Sequence, residues 1–219
     1  GLPMITAGLL KSDFRFASYV RMITPMQRTL IYLTHARIPS DKTPSPFILK
    51  TCEGFVRQGY AVELWLANRR GVLEADPFEY HGIRASFPIA RIPCIDLIGS
   101  TGKFGFPLMV LTYNMSVWWR LLWRKEVIVY AHDTRDVLLA AFLQHPLFIE
   151  AHDFYDSAFG IINRMVVPRV KGWIVTNRIK LTKMHESLGI PLARMLYQSN
   201  TVDFDAFATP ISKEDARVK

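Results

Sequence analysis

Three short stretches of this chain gather residues that could do chemistry. Glu150-Ala-His-Asp-Phe154 places His152 just past an apolar run of strand type, Leu147 to Ala151. An imidazole there projects into the crevice at the carboxyl end of a strand, where open α/β sheets bind ligands. The competing reading is a histidine that only caps the following helix. Asp153 is the better cap, because an aspartate ahead of a helix accepts from its free N–H groups. Tyr130-Ala-His-Asp-Thr-Arg-Asp136 repeats the arrangement after Val127 to Ala131 and crowds His132, Asp133 and Arg135 together. Arg135 offers a fork for a phosphate or carboxylate, or else a structural pair with an aspartate. The third stretch is the loop from Arg37 to Pro46. Pro44 and Pro46 remove two N–H donors from it, so charge on a bound phosphate would come from Arg37 and Lys42. A rigid structural loop is the alternative.

Those stretches need strands and helices to hold them. Ile31 to Thr34 reads as a strand, and the three prolines of the following loop, Pro39, Pro44 and Pro46, argue against helix within it. Phe47, Leu49, Cys52, Phe55 and Val56 then fall on one side of a helix that stops at Gly59. Ala61 to Leu66 is a second strand and Gly71 to His81 a loop. One or two short strands fit between Ile83 and Pro93, and a helix fits from Pro107 to Arg124. Further strands are expected at Val127–Ala131, Leu147–Ala151, Trp173–Thr176 and Met195–Tyr197. Helices are expected at Val137–Leu143, Tyr155–Val167 and Ile179–Leu188. This alternation implies α/β architecture, a doubly wound parallel sheet of Rossmann-like type. No glycine fingerprint follows the first strand, which makes a dinucleotide oxidoreductase a poor reading.

The helix after Pro107 is unusual. Leu108, Leu111, Met115, Trp118 and Leu122 give a stripe of core-facing spacing, yet Val110, Val117 and Leu121 keep the opposite side apolar. Thr112, Asn114, Ser116 and Arg120 argue against a membrane span. Two readings stay open: a core helix, or an aromatic, basic element that docks on anionic membrane through Trp119, Arg120, Trp123 and Arg124.

With 219 residues, half of them apolar, one sizeable domain is expected. The 27 basic residues exceed the 19 acidic ones by eight. Six of the cations fall between Asp156 and Glu186, where no acid interrupts them. A solvated surface accounts for this, as does attraction to anionic lipid or a nucleotide diphosphate. Nucleic acid is not expected, since no binding module accompanies the charge. Cys52 and Cys94 match neither a zinc pattern nor a disulfide scaffold and read as reduced core thiols, which fits the cytosol. No metal site is expected.

Arg37 to Arg70, Asp76 to Ile83, Ile89 to Leu97, Val127 to Asp136, Pro146 to Phe154, Gly172 to Pro191 and Ser199 to Phe207 together carry a resemblance. In order and spacing, over roughly residues 28 to 215, they resemble the first half of a family 4 glycosyltransferase, a retaining, nucleotide-sugar-dependent enzyme of the two-domain GT-B fold. The resemblance implies a Rossmann-like domain over residues 29–211, an unassigned extension over 1–28 and the start of an interdomain linker over 212–219. Asn200-Thr-Val-Asp203 would stand at the turn that closes the first domain. By the same likeness His152 is the catalytic residue, touching the transition state's hydroxyls rather than acting as a base. Arg135, His132, Asp133 and Arg37 would bind the acceptor, and Lys42 the donor phosphate. The donor substrate would be a nucleotide-sugar with no cofactor, and the acceptor a glycan or a lipid-linked acceptor. The partner would be a C-terminal donor-binding domain, without which transfer is expected to fail. The place would be the cytoplasm, or the inner face of the membrane as a peripheral protein. The alternative is a non-catalytic half-enzyme module that binds a protein partner or anionic membrane.

Overall fold

A computed structural model describes residues 28–100, 102–152 and 164–199. Asp153, Asn200–Asp203, the extension ahead of Arg28 and the tail from Ser212 lie outside them, as does nearly all of the helix expected from Tyr155.

Seven strands form one parallel sheet: β1 Thr29–Thr34, β2 Ala61–Ala67, β3 Ile89–Ile92, β4 Val127–Ala131, β5 Leu147–Ala151, β6 Gly172–Val175 and β7 Met195–Tyr197. Their order is β3-β2-β1-β4-β5-β6-β7, and every neighbouring pair runs parallel. The chain works outward from β1 to β3, returns, and works outward on the other side from β4. That reversal leaves a gap between the segments that leave β1 and β4, since their connections depart in opposite directions.

Parallel strands buried on both faces read as continuous apolar runs rather than alternating ones, and β4 and β5 are buried at all five positions. Alternate residues nevertheless serve different cores. Ile31, Leu33, Val127 and Val129 point to one side with Met109, Val117 and Trp173. Leu30, Tyr32, Ile128 and Tyr130 point to the other with Ile48, Leu49 and Cys52. The doubly wound architecture expected from the sequence is therefore present.

Four helices among the described residues carry the α label here: α1 Pro44–Arg57, α2 Pro77–Tyr80, α3 Gly105–Leu121 and α4 Arg178–Leu188. The proline-rich loop yields sooner than expected. Helix α1 begins at Pro44 itself, because a proline in the first turn gives up an N–H that has no helical partner anyway. α2 lies within what read as loop, capped by Asp76, whose Oδ1 accepts from Phe78 and Glu79 at 2.8 Å. Val137–Leu143 is not an α-helix but a turn with a short 3-10 segment at Ala140–Phe142. α4 ends at Gly189 with φ 64, the left-handed cap that glycine adopts most cheaply.

α3 faces the opposite way from the stripe read in the sequence. Met109, Val110, Tyr113, Asn114, Val117 and Leu121 are buried, whereas Leu111, Met115 and Leu122 are exposed. The helix is apolar nearly all round, so polar residues decide its facing, and two of them turn inward. Tyr113 donates to the Trp65 carbonyl at 3.0 Å, and Asn114 Nδ2 donates to the carbonyls of Val110 and Arg135 at 2.8 Å each. Asn114→Ala should cost about 1–3 kcal/mol by stranding the Arg135 carbonyl. Leu111→Ala should cost less than about 1 kcal/mol. Urea denaturation of the two variants measures the contrast.

Candidate active site at the carboxyl ends of β1, β4 and β5

Each of the three central strands ends on a residue that turns a histidine toward the gap. Thr34 closes β1 and His35 follows; Ala131 closes β4 and His132 follows; Ala151 closes β5 and His152 follows. The sheet register sets them side by side, because Leu33 pairs with Ala131, and Ala131 with Ile149. Together with the loop from Ala36 to Pro44 they line a cavity of about 310 Å³ that also receives Arg37, Lys42, Arg69, Asp133 and Arg135.

His35 is held most firmly. Its backbone N–H and its Nδ1 both reach Asp136 Oδ1, at 2.8 and 2.6 Å. The Asp136 side chain is wholly buried. Burial pushes its carboxyl above the usual range, and the contact with His35 offsets only part of that. With Nδ1 committed, the ring presents Nε2 as its remaining proton site, while Phe106 packs edge-on at 5.5 Å. Neither residue was singled out as a site residue from sequence. The signal was there in His35, which stands one position past a strand, as His132 and His152 do.

His132 and His152 stack with ring centroids 4.4 Å apart, and Phe47 of α1 meets His152 edge-on at 4.6 Å. Burial, followed by the neighbouring His152, lowers the His132 pKa to about 4. Its Nδ1 is buried without a hydrogen-bond partner. Below the pair lies Glu150, 4% exposed within β5, whose Oε2 accepts from Tyr130 at 3.2 Å. Lys180 of α4 donates to the His152 carbonyl.

The expected acceptor-binding residues meet here, in different states. Asp133 grips Arg135 through Nε at 2.9 Å and through Nη2. Burial raises the Asp133 carboxyl, but that contact outweighs it and leaves the pKa below its ordinary value. The Arg135 guanidinium also stands 5.5 Å over the Phe106 ring. Arg37 lines the cavity with its Nε buried and unpartnered. Lys42 reaches the rim with a side chain 77% exposed, 4.0 Å from Asp41. Arg69, which sequence reading passed over, donates to the His35 carbonyl at 3.2 Å and lies 3.5 Å from Asp96. The cavity therefore offers two histidine faces, one oriented imidazole and a cationic wall, a suitable place for a phosphorylated or hydroxyl-rich ligand.

The residues expected to dock on a membrane lie elsewhere, on α3 and just past it. Trp119 and Trp123 are 60% and 74% exposed and meet edge-on at 6.0 Å. Arg124 is drawn back to Glu63 and stands 5.8 Å over Trp65. No helix among the described residues is long and apolar enough to cross a membrane.

The sequence matches no protein-family profile and no curated protein. Among solved structures, it is similar to a glycosyltransferase from Rickettsia africae ESF-5, with a TM-score of 0.57 at 11% identity. The likeness is one of fold. It covers 88% of this chain and 48% of the other, so this chain spans about half the length of the structure it matches.

The depressed His132 pKa sets a pH dependence. The unfolded ring, at about 6.5, takes a proton that the folded ring refuses until about pH 4. The resulting stability is complete above pH 6.5 and is lost as pH falls toward 4, by about 3 kcal/mol in all. Denaturation midpoints should fall over that window, and His132→Asn should flatten the decline.

Proposed function

We propose that this chain is the acceptor-binding half of a glycosyltransferase that moves a sugar from a nucleotide-sugar donor to a glycan or lipid-linked acceptor. One observation carries the reading: the crevice at the reversal of strand order is built from three histidines and a cationic wall. The fold shared with a glycosyltransferase adds support. In this reading Arg37 and Lys42 attract phosphate at the rim, and Asp133 holds Arg135 in place beside it. His152, fixed between His132 and Phe47, presents its ring to hydroxyls of the transferring sugar. The second, donor-binding domain would complete the crevice from outside.

His35 bears on stereochemistry. The family resemblance implies retention, with the departing phosphate taking the acceptor's proton. An imidazole oriented by Asp136 is a second proton acceptor, and general-base removal of that proton belongs with direct displacement and inversion. The anomeric configuration of the product separates the two.

A second reading, a non-catalytic module docked on anionic membrane, draws on the exposed Trp119 and Trp123 beside Arg120. Aromatic rings with basic neighbours suit the headgroup boundary.

The test is transfer of radiolabelled sugar from nucleotide-sugars to lipid extracts, by the whole polypeptide that the reading frame encodes. Transfer should be present, and His152→Ala should slow it by roughly 100-fold. The segment Gly1–Lys219 alone should transfer negligibly. Ordinary turnover by that segment, on the order of 10 per second, would sink the half-enzyme reading. Vesicle binding without transfer would favour the docking module.

A further inference from the structure

Glu150 is a carboxylate in the wrong surroundings for a purely structural strand residue. It is 4% exposed at the next-to-last position of β5, and among the described residues no lysine or arginine pairs with it. Its contacts are the Tyr130 hydroxyl on Oε2 and the His152 ring, whose Nε2 lies 3.1 Å from Oε1. A carboxylate taken out of water costs several kcal/mol unless a counter-charge meets it.

The nitrogens around it are equally unsatisfied. His152 Nε2 is buried and, despite that 3.1 Å approach, is not aligned for a hydrogen bond. His132 Nδ1 is buried and also lacks a partner. One donor atom from each of His132, Glu150 and His152 can be chosen so that all three lie within 4.8 Å of one another. Close approach without a shared proton is what two ligands of one cation show. Donors at about 2.1 Å from a common ion stand roughly 3.0–3.4 Å apart, so the two rings, stacked at an interplanar angle of 29°, would turn from that arrangement to aim both nitrogens at one ion.

We propose that His132, Glu150 and His152 form a divalent-cation site for zinc, open toward the crevice. Two imidazoles and one carboxylate with a free position make the donor set of an open zinc site, whereas magnesium prefers oxygen ligands alone. The Tyr130 hydroxyl on Glu150 serves as the outer partner that fixes a ligating carboxylate. Two of the three residues, His132 and His152, line the cavity that Arg37 and Lys42 also line, so an exogenous ligand would reach the ion from there as an anionic oxygen such as that of a phosphate. The site shares His152 with the proposed transfer reaction, where the ring would hold the ion instead of meeting sugar hydroxyls directly, and the donor atoms carry the site whether or not transfer occurs.

The experiment is a titration of untagged, chelator-stripped protein with Co²⁺, read by its visible ligand-field absorption and followed by competition with Zn²⁺ and Mg²⁺. One equivalent should bind, Zn²⁺ should displace it, and excess Mg²⁺ should not. His132→Ala and His152→Ala should each weaken binding by roughly 100-fold and Glu150→Gln by roughly tenfold or more, with circular dichroism confirming the fold. His145→Ala, away from the crevice, should bind as the parent does. Where Glu150→Gln fails to fold, the two histidine variants decide. No stoichiometric binding, or parental affinity in His132→Ala, overturns the site.

Discussion

Asp136 has no exposed surface, and one of its oxygens accepts from both the backbone and the ring of His35, a residue 101 positions away. That contact ties the segment leaving β1 to the segment leaving β4 across the point where strand order reverses. Beside it, the His132 N–H donates to the Leu33 carbonyl at 3.3 Å and joins the same two segments closer to the sheet. The Asp136 contact fixes His35 at the crevice wall, and Phe106 of α3 packs against its ring. Asn114 of the same helix reaches the Arg135 carbonyl one residue before Asp136. The crevice is therefore braced by polar contacts buried in an otherwise apolar interior, where such contacts are strong when complete and costly when broken.

Much of the frame was legible from sequence, for a physical reason. Strands covered by helices on both faces must be apolar throughout, so Val127–Ala131 and Leu147–Ala151 stand out without any periodicity. The rule that ligands meet the carboxyl ends of such strands then picks out His132 and His152. Applied to the first strand it also reaches His35, the position immediately after Thr34. What hid His35 was its ordinary neighbourhood: its partner lies in the segment after β4, and only the sheet order brings the two together.

Other features were out of reach for related reasons. α3 shows apolar residues on every side, so spacing alone does not say which side is core. Its facing depends on the Trp65 and Arg135 carbonyls, and neither sequence position announces that it needs a donor. Glu150 lies inside a strand run and resembles an edge or surface acid until Tyr130 and the stacked histidines are set around it. Pro44 looks like a helix breaker unless the helix is known to start there. Each case turns on a contact between residues far apart in the chain, which local pattern cannot carry.

The six histidines of the chain allow a direct test of where a ligand binds. His35, His132 and His152 line the crevice. His81 bonds to Ser45 at 2.8 Å, His145 lies 3.2 Å from the Leu121 carbonyl, and His185 lies 2.8 Å from the Ile190 carbonyl. Nitrogen-15 ring spectra recorded while a glycosyl phosphate is titrated in would follow all six at once. A crevice site requires that the signals of His35, His132 and His152 move together while the other three stay in place. Shifts confined to His81, His145 or His185, or none at any histidine across a panel of sugar phosphates and nucleotide-sugars, would contradict it.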